Sequence, residues 1–153
     1  MAKNRVYKLI YIDDNPESVA KLQRIIRTYG LSSDFVIDVV EAKGVDELHR
    51  ALEQDQFDLV LVKNAPHLPQ VELLVEIIDI TTTALFVVVE SGELEEALPL
   101  IDLGAEEIVT LSSPTTLYKK IITALNSKNV AESYRQLREK HNILQKQAET
   151  FLN

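Results

Sequence analysis

The 153-residue chain has no cysteine, which excludes disulfide scaffolds and Cys-ligated zinc sites and leaves no trace of the redox compartment. No apolar run approaches the roughly 20 residues of a membrane span, so no membrane partner is expected. Met1-Ala2-Lys3-Asn4-Arg5 leads straight into a short apolar run with no signal-peptide cleavage pattern, and a bacterial-type cytoplasmic location is the expectation. Positive charge is scarce, with 16 Lys and Arg against 24 Asp and Glu and a net charge of −8. That balance weighs against duplex nucleic acid as a partner, since phosphate contacts need clustered cations. There is no Gly-rich phosphate loop and no serine in a nucleophile-elbow pattern. His49 and His67 have no neighbour at metal-ligand spacing, so they read as ordinary polar residues.

What is present is a core-forming chain, 46% hydrophobic and 26% charged. Its charge is uneven. Residues 1–126 hold 11 basic and 21 acidic side chains, whereas residues 127–153 hold 5 and 3. The apolar pattern also changes near residue 127, so two segments are expected, a domain over 1–126 and a helix over 127–153.

The domain alternates strand and helix patterns five times. Tyr7 to Ile12 is an apolar run ending at Asp13-Asp14, and Asn15-Pro16 supplies a capping residue and a first-turn proline. Val19, Leu22, Ile25 and Ile26 recur at helical spacing, with Gly30 as the stop. Phe35 to Val40 is strand-like and Val45 to Leu52 helical. Leu59 to Val62 and Ala84 to Val89 are fully apolar, as strands buried on both faces are. Val71 to Ile80 reads as a helix, and so does Leu94 to Leu103, with Pro99 kinking it or delaying its start. Gly104 follows as its cap, Ile108 to Leu111 is a short strand, and Ser113-Pro114 opens a final helix. Alternation of this kind predicts an α/β fold, a five-stranded doubly wound parallel sheet. Chemistry in such sheets gathers at the C-terminal strand ends, here Asp13 and Asp14, Glu41, Lys63 and Asn64, Glu90 and Ser91, and Ser112 and Ser113.

Over about residues 6–126 the chain resembles a response-regulator receiver domain, which has a flavodoxin-like fold. Leu9-Ile10-Tyr11-Ile12-Asp13-Asp14-Asn15-Pro16, Phe57-Asp58-Leu59-Val60-Leu61-Val62 and Leu103-Gly104-Ala105-Glu106-Glu107-Ile108 carry the resemblance. In that family an acidic pair after the first strand binds Mg²⁺. An aspartate five residues after the Asp of the third-strand motif accepts a phosphoryl group. A Thr or Ser ends the fourth strand, a Lys-Pro pair ends the fifth, and a fifth-strand Tyr or Phe reports the switch.

Here only the acidic pair, Asp13 and Asp14, is intact. Five residues past Asp58 stands Lys63, the switch positions hold Ser91, Ile108 and Ser113, and Pro66 and Pro69 lie in a loop without the usual Gly. An ammonium cannot form an acyl phosphate. Placed beside Asp13 and Asp14 it would compete with a cation, so the expectation is an internal ion pair at the metal position, with no metal and no other cofactor. Asp13-Asp14 reads equally as helix-capping charge. Lys63 reads also as a solvated loop residue. Glu93, Glu95 and Glu96 form either a solvated face or part of a partner surface.

Beyond Asn126-Ser127-Lys128-Asn129, Val130, Tyr134, Leu137, His141, Leu144, Ala148 and Phe151 recur at alternating spacings of 4 and 3. This is a heptad seam, the mark of a coiled-coil-type helix that makes a homodimer or joins the domain to an output domain. An amphipathic helix packing back on its own domain is the other reading. The function expected is a non-enzymatic pseudo-receiver in a bacterial two-component, phosphorelay or cyclic-di-GMP pathway. The alternative is a phospho-receiver using another acceptor, Asp58 or Ser91.

Overall fold

The computed structural model describes residues 5–30 and 35–127, together with 138, 140, 141 and 143. Five strands, β1 (Arg5–Ile12), β2 (Phe35–Ala42), β3 (Leu59–Lys63), β4 (Ala84–Val88) and β5 (Glu107–Val109), form one parallel sheet in the order β2-β1-β3-β4-β5. Helices α1 (Pro16–Gly30), α2 (Val45–Gln54), α3 (Val71–Ile77), α4 (Leu94–Ala97) and α5 (residues 114–127) connect and follow them. The expected doubly wound sheet is therefore the observed one.

Side chains alternate across each strand, and the two faces bury different partners. Leu9, Tyr11, Leu59, Leu61, Phe86 and Val109 pack under α1 and α5, against Val19, Leu22, Leu117 and Ile121. Ile10, Ile12, Val60, Val62, Leu85 and Val87 pack under α2, α3 and α4, against Leu48, Leu74 and Ala97. All of these are at most 3% exposed, and each large one contributes roughly 1.5–3 kcal/mol of transfer free energy. Strand runs that are apolar at every position are the sequence form of this two-sided burial.

Local chemistry sets the helix ends. Asn15 Oδ1 accepts the Glu17 N–H at 3.0 Å, a side-chain cap on α1 with Pro16 at its first position. α3 stops at Ile77 rather than Ile80, because Asp79 makes a turn in which its carboxylate accepts the Thr81 N–H and its carbonyl the Thr83 N–H. The helix expected over Leu94 to Leu103 is broken. α4 spans four residues between 3₁₀ turns at Ser91–Glu93 and Leu98–Ile101, and Pro99, which has no N–H to give, stands in the second turn. Gly104 takes φ +128°, and a Cβ there would lie 2.5 Å from Val75 Cγ1, so both backbone and space require glycine. β5 covers Glu107–Val109, two residues short of the expected end, since Thr110 to Ser113 turn towards α5.

Of the heptad positions, Val130, Tyr134, Leu137, Leu144, Ala148 and Phe151 lie outside the described residues. His141 is described and is an exposed helical residue. No helix among the described residues is long and apolar enough to cross a membrane.

Candidate functional site

Strand register lines up the C-terminal edge. Ile12 pairs with Ala42 and Val62, Val62 with Val87, and Val87 with Ile108. Asp13 and Lys63 each stand one residue past that row, on the strand face that packs under α1. The sequence therefore brings the acidic pair and the lysine to neighbouring strands of one edge. It does not join them.

Asp13 is 3% exposed, the one buried charged side chain among the described residues. Its Oδ2 accepts the Tyr11 hydroxyl at 2.9 Å and its Oδ1 the Asn15 N–H at 3.0 Å. Burial pushes the Tyr11 phenol far above its ordinary range, with the negative charge of Asp13 adding to the rise, so the phenol stays a neutral donor. Its oxygen also lies 2.8 Å from Ser18 Oγ. The buried carboxylate is satisfied from within by a phenol and an amide.

Asp14 is half exposed and meets His67 Nε2 at 2.9 Å. That hydrogen bond, assisted by His67's charge, holds the Asp14 carboxyl below its ordinary value. Fifty-three positions separate the two residues, and only the adjacency of β1 and β3 brings their loops together.

Lys63 donates to Glu90 Oε1 at 2.6 Å, and among the described residues it makes no ion pair with Asp13 or Asp14. The expected internal pair at the metal position is thus replaced by a pair across β3 and the end of β4. The Lys63 hydrogen bond, then its charge, lowers the Glu90 carboxyl. At the turn Ser91–Glu93 the Glu90 N–H donates to Glu93 Oε1 at 2.9 Å, and the Glu90 carbonyl accepts the Glu93 N–H at 2.9 Å.

Ser91 Oγ lies 3.1 Å from Ser112 Oγ, which lies 2.9 Å from Thr110 Oγ1, a chain of three hydroxyls at the same edge. Ser113 starts α5 through its carbonyl, which accepts the Leu117 N–H. Ile108 is 5% exposed and packs in the apolar cluster under α2, α3 and α4, with no hydroxyl to report anything at the edge. Asp58 sits at the other end of the sheet, where its carboxylate accepts the Lys8 N–H at 2.8 Å. Together Asn15, Ser18, Lys21, Lys63, Glu90 and Ser112 line a cleft of about 210 Å³. A larger hollow of about 420 Å³, lined chiefly by Ile26, Val36, Ile37 and Val39, lies away from this chemistry.

No protein-family model matches the chain, and no curated protein matches it. Solved structures do. A response-regulator receiver domain protein from Clostridium thermocellum is 23% identical with a TM-score of 0.64, covering 81% of this chain and 98% of that one. A CheY-like receiver domain protein from Methanospirillum hungatei JF-1 is 19% identical with a TM-score of 0.62, covering 81% and 97%. The signal receiver domain of an HD domain-containing protein from Pseudomonas fluorescens Pf-5 is 13% identical with a TM-score of 0.65, covering 87% and 95%. The chain has the receiver fold.

The Mg²⁺ that this fold implies does not suit the residues present. Both oxygens of Asp13 are engaged by donors of the chain, Asp14 is engaged by His67, and Lys63 brings an ammonium to the same edge. Among the described residues no three His, Cys, Asp or Glu side chains converge on a metal position.

Two participants escape a reading of the sequence: Tyr11 looks like one more apolar strand residue and His67 like a bare loop histidine. Glu90 is placed at this edge by the sequence, but its pairing with Lys63 is not. Only the alternation of β1, which puts Tyr11 and Asp13 on one face, could have pointed to the phenol.

Proposed function

We propose that this chain is a non-phosphorylatable pseudo-receiver, a non-enzymatic module of a two-component or cyclic-di-GMP pathway that passes binding events to a partner or output domain. The observation that carries this reading is Lys63. It stands five residues past Asp58, where the family resemblance puts the acceptor, at the end of β3 beside β1 and with its ammonium committed to Glu90. A carboxylate there can attack phosphorus and form an acyl phosphate; an ammonium has no lone pair for the attack and no oxygen for the product. The internal hydrogen bonds of Asp13 support the same reading, because they occupy oxygens that a catalytic cation would need.

Asp58 offers little support for the alternative acceptor, since it lies at the opposite sheet end and holds the Lys8 N–H. Ser91 is exposed, and its hydrogen-bond partner among the described residues is the Ser112 hydroxyl, not a base. The test is intact mass after incubation with acetyl phosphate and Mg²⁺. The mass should be unchanged. A stoichiometric gain of one phosphate would overturn the reading, and its loss on mild base would assign an acyl phosphate.

The same reading includes a homodimer through residues 130–151, on the strength of the heptad spacing. Light-scattering mass should give a dimer for the full chain and a folded monomer for a truncation after Ser127. A truncation that still dimerises would move the contact to the domain itself.

A further inference from the structure

We propose that the cleft at the C-terminal sheet edge binds a small anion bearing a carboxylate or phosphate group, and that Glu90 keeps its place in the free protein. This rests on the pseudo-receiver reading only for the purpose that binding serves, an input in place of phosphoryl transfer.

Strand order 2-1-3-4-5 reverses direction between β1 and β3. The connections from these two strands leave on opposite faces and open a crevice at their carboxyl ends, where ligands of open α/β sheets bind. The cleft of about 210 Å³ lies there, lined from α1 by Ser18 and Lys21, from β3 by Lys63, and from the β4 and β5 ends by Glu90, Thr110 and Ser112.

Lys63 already pairs with the Glu90 carboxylate, and the charge of Lys21 acts on the same group. Lys63 has a side chain only 19% exposed, held by the strand that carries it, whereas the Glu90 side chain is 76% exposed. The cation is fixed and its partner is free to leave. Exposed ion pairs contribute little net stability, so an external oxyanion exchanges with Glu90 at small cost. Glu17 also lines the cleft, so among the lining side chains the departure of Glu90 leaves two cations against one carboxylate, with Asp13 buried behind them and held by its own hydrogen bonds. Ser18, Thr110 and Ser112 add rotatable hydroxyls whose protons turn towards an incoming oxygen.

The Glu90 backbone opens the turn that leads into α4: its N–H donates to Glu93 Oε1 at 2.9 Å and its carbonyl accepts the Glu93 N–H at 2.9 Å. A side chain that leaves Lys63 swings on the residue that opens this turn. Occupancy of the cleft is thereby coupled to the segment whose Leu94, Leu98 and Ile101 are exposed on the surface.

Amide NMR titration with inorganic phosphate and, separately, with succinate, at constant ionic strength set by chloride, tests this. Saturable shifts are expected at Lys63, Ser91 and Ser112. Glu90→Gln should bind at least tenfold more tightly than the parent, and Lys63→Met should lose binding, with Lys63→Gln as a second variant should the first fold poorly. Tighter binding of phosphate assigns a phosphate group, and tighter binding of succinate a carboxylate. No saturable shift in Glu90→Gln, or equal affinity with and without Lys63, would overturn the proposal. Those results leave the acetyl phosphate experiment untouched, so the two readings fail separately.

Discussion

Asp13 and Lys63 stand side by side on neighbouring strands, yet they are stabilised in opposite ways. Asp13 is buried, and its partners are neutral groups supplied by its own strand and loop. Lys63 reaches outward to an exposed carboxylate from the end of another strand. A buried charge must be satisfied on the spot, because an unpaired one costs far more than its hydrogen bonds return. An exposed pair can open to water at little cost. The acid end of this edge is therefore held from within, while the lysine end depends on a partner exposed to water.

Substitutions break or sharpen that contrast. Leu61→Ala, in the middle of β3 with the side chain fully buried, should cost about 2–5 kcal/mol in urea unfolding and sets the scale for the strand that carries Lys63. Tyr11→Phe removes a donor from the buried Asp13 carboxylate and should cost about 1–3 kcal/mol by the same measurement. If it costs nothing, the acid end is not closed from within.

Lys63→Met should cost at most about 1 kcal/mol near neutral pH, because its partner is exposed. A loss as large as that of Tyr11→Phe would erase the contrast. Its pH dependence has a fixed sign. Lys63 holds the Glu90 carboxyl below the ordinary value of 4.5, so the pair's contribution is complete above that pH and disappears as pH falls further. Parent and variant melting temperatures should converge in acid.

The smallest effect belongs to Asp14→Asn. The His67 hydrogen bond holds Asp14 below its ordinary 3.8, so whatever the contact contributes is present above that pH and lost below it. Melting temperatures of parent and variant should differ slightly at neutral pH and not at all in strong acid.

Much of the fold was legible in the sequence. Fully apolar runs such as Leu59 to Val62 announce strands buried on two faces, and Asn15-Pro16 announces a helix start, because burial and capping act on local residues. The segment from Ser91 to Ile101 was not legible as three short turns. Its apolar spacing permits one helix, and only the tertiary frame decides how Pro99 is accommodated. The site was half legible. The spacing from Asp58 puts Lys63 at the C-terminal end of β3, but which carboxylate it takes depends on reach. Asp13 is already turned to Tyr11 and Asn15, while Glu90 stands free at the next strand end. The pairs Asp14–His67 and Lys63–Glu90 join residues far apart in the chain, and no periodicity encodes them.

The central claim is that the acid end needs no cation, and the Asn15 amide, which donates directly to Asp13 Oδ1, reports on it most directly. Titrating Mg²⁺ while following that amide by NMR should produce no saturable shift at Asn15, nor at Asp13 or Asp14. A saturable shift at those three amides at millimolar Mg²⁺, with a matching rise in melting temperature, would contradict the account.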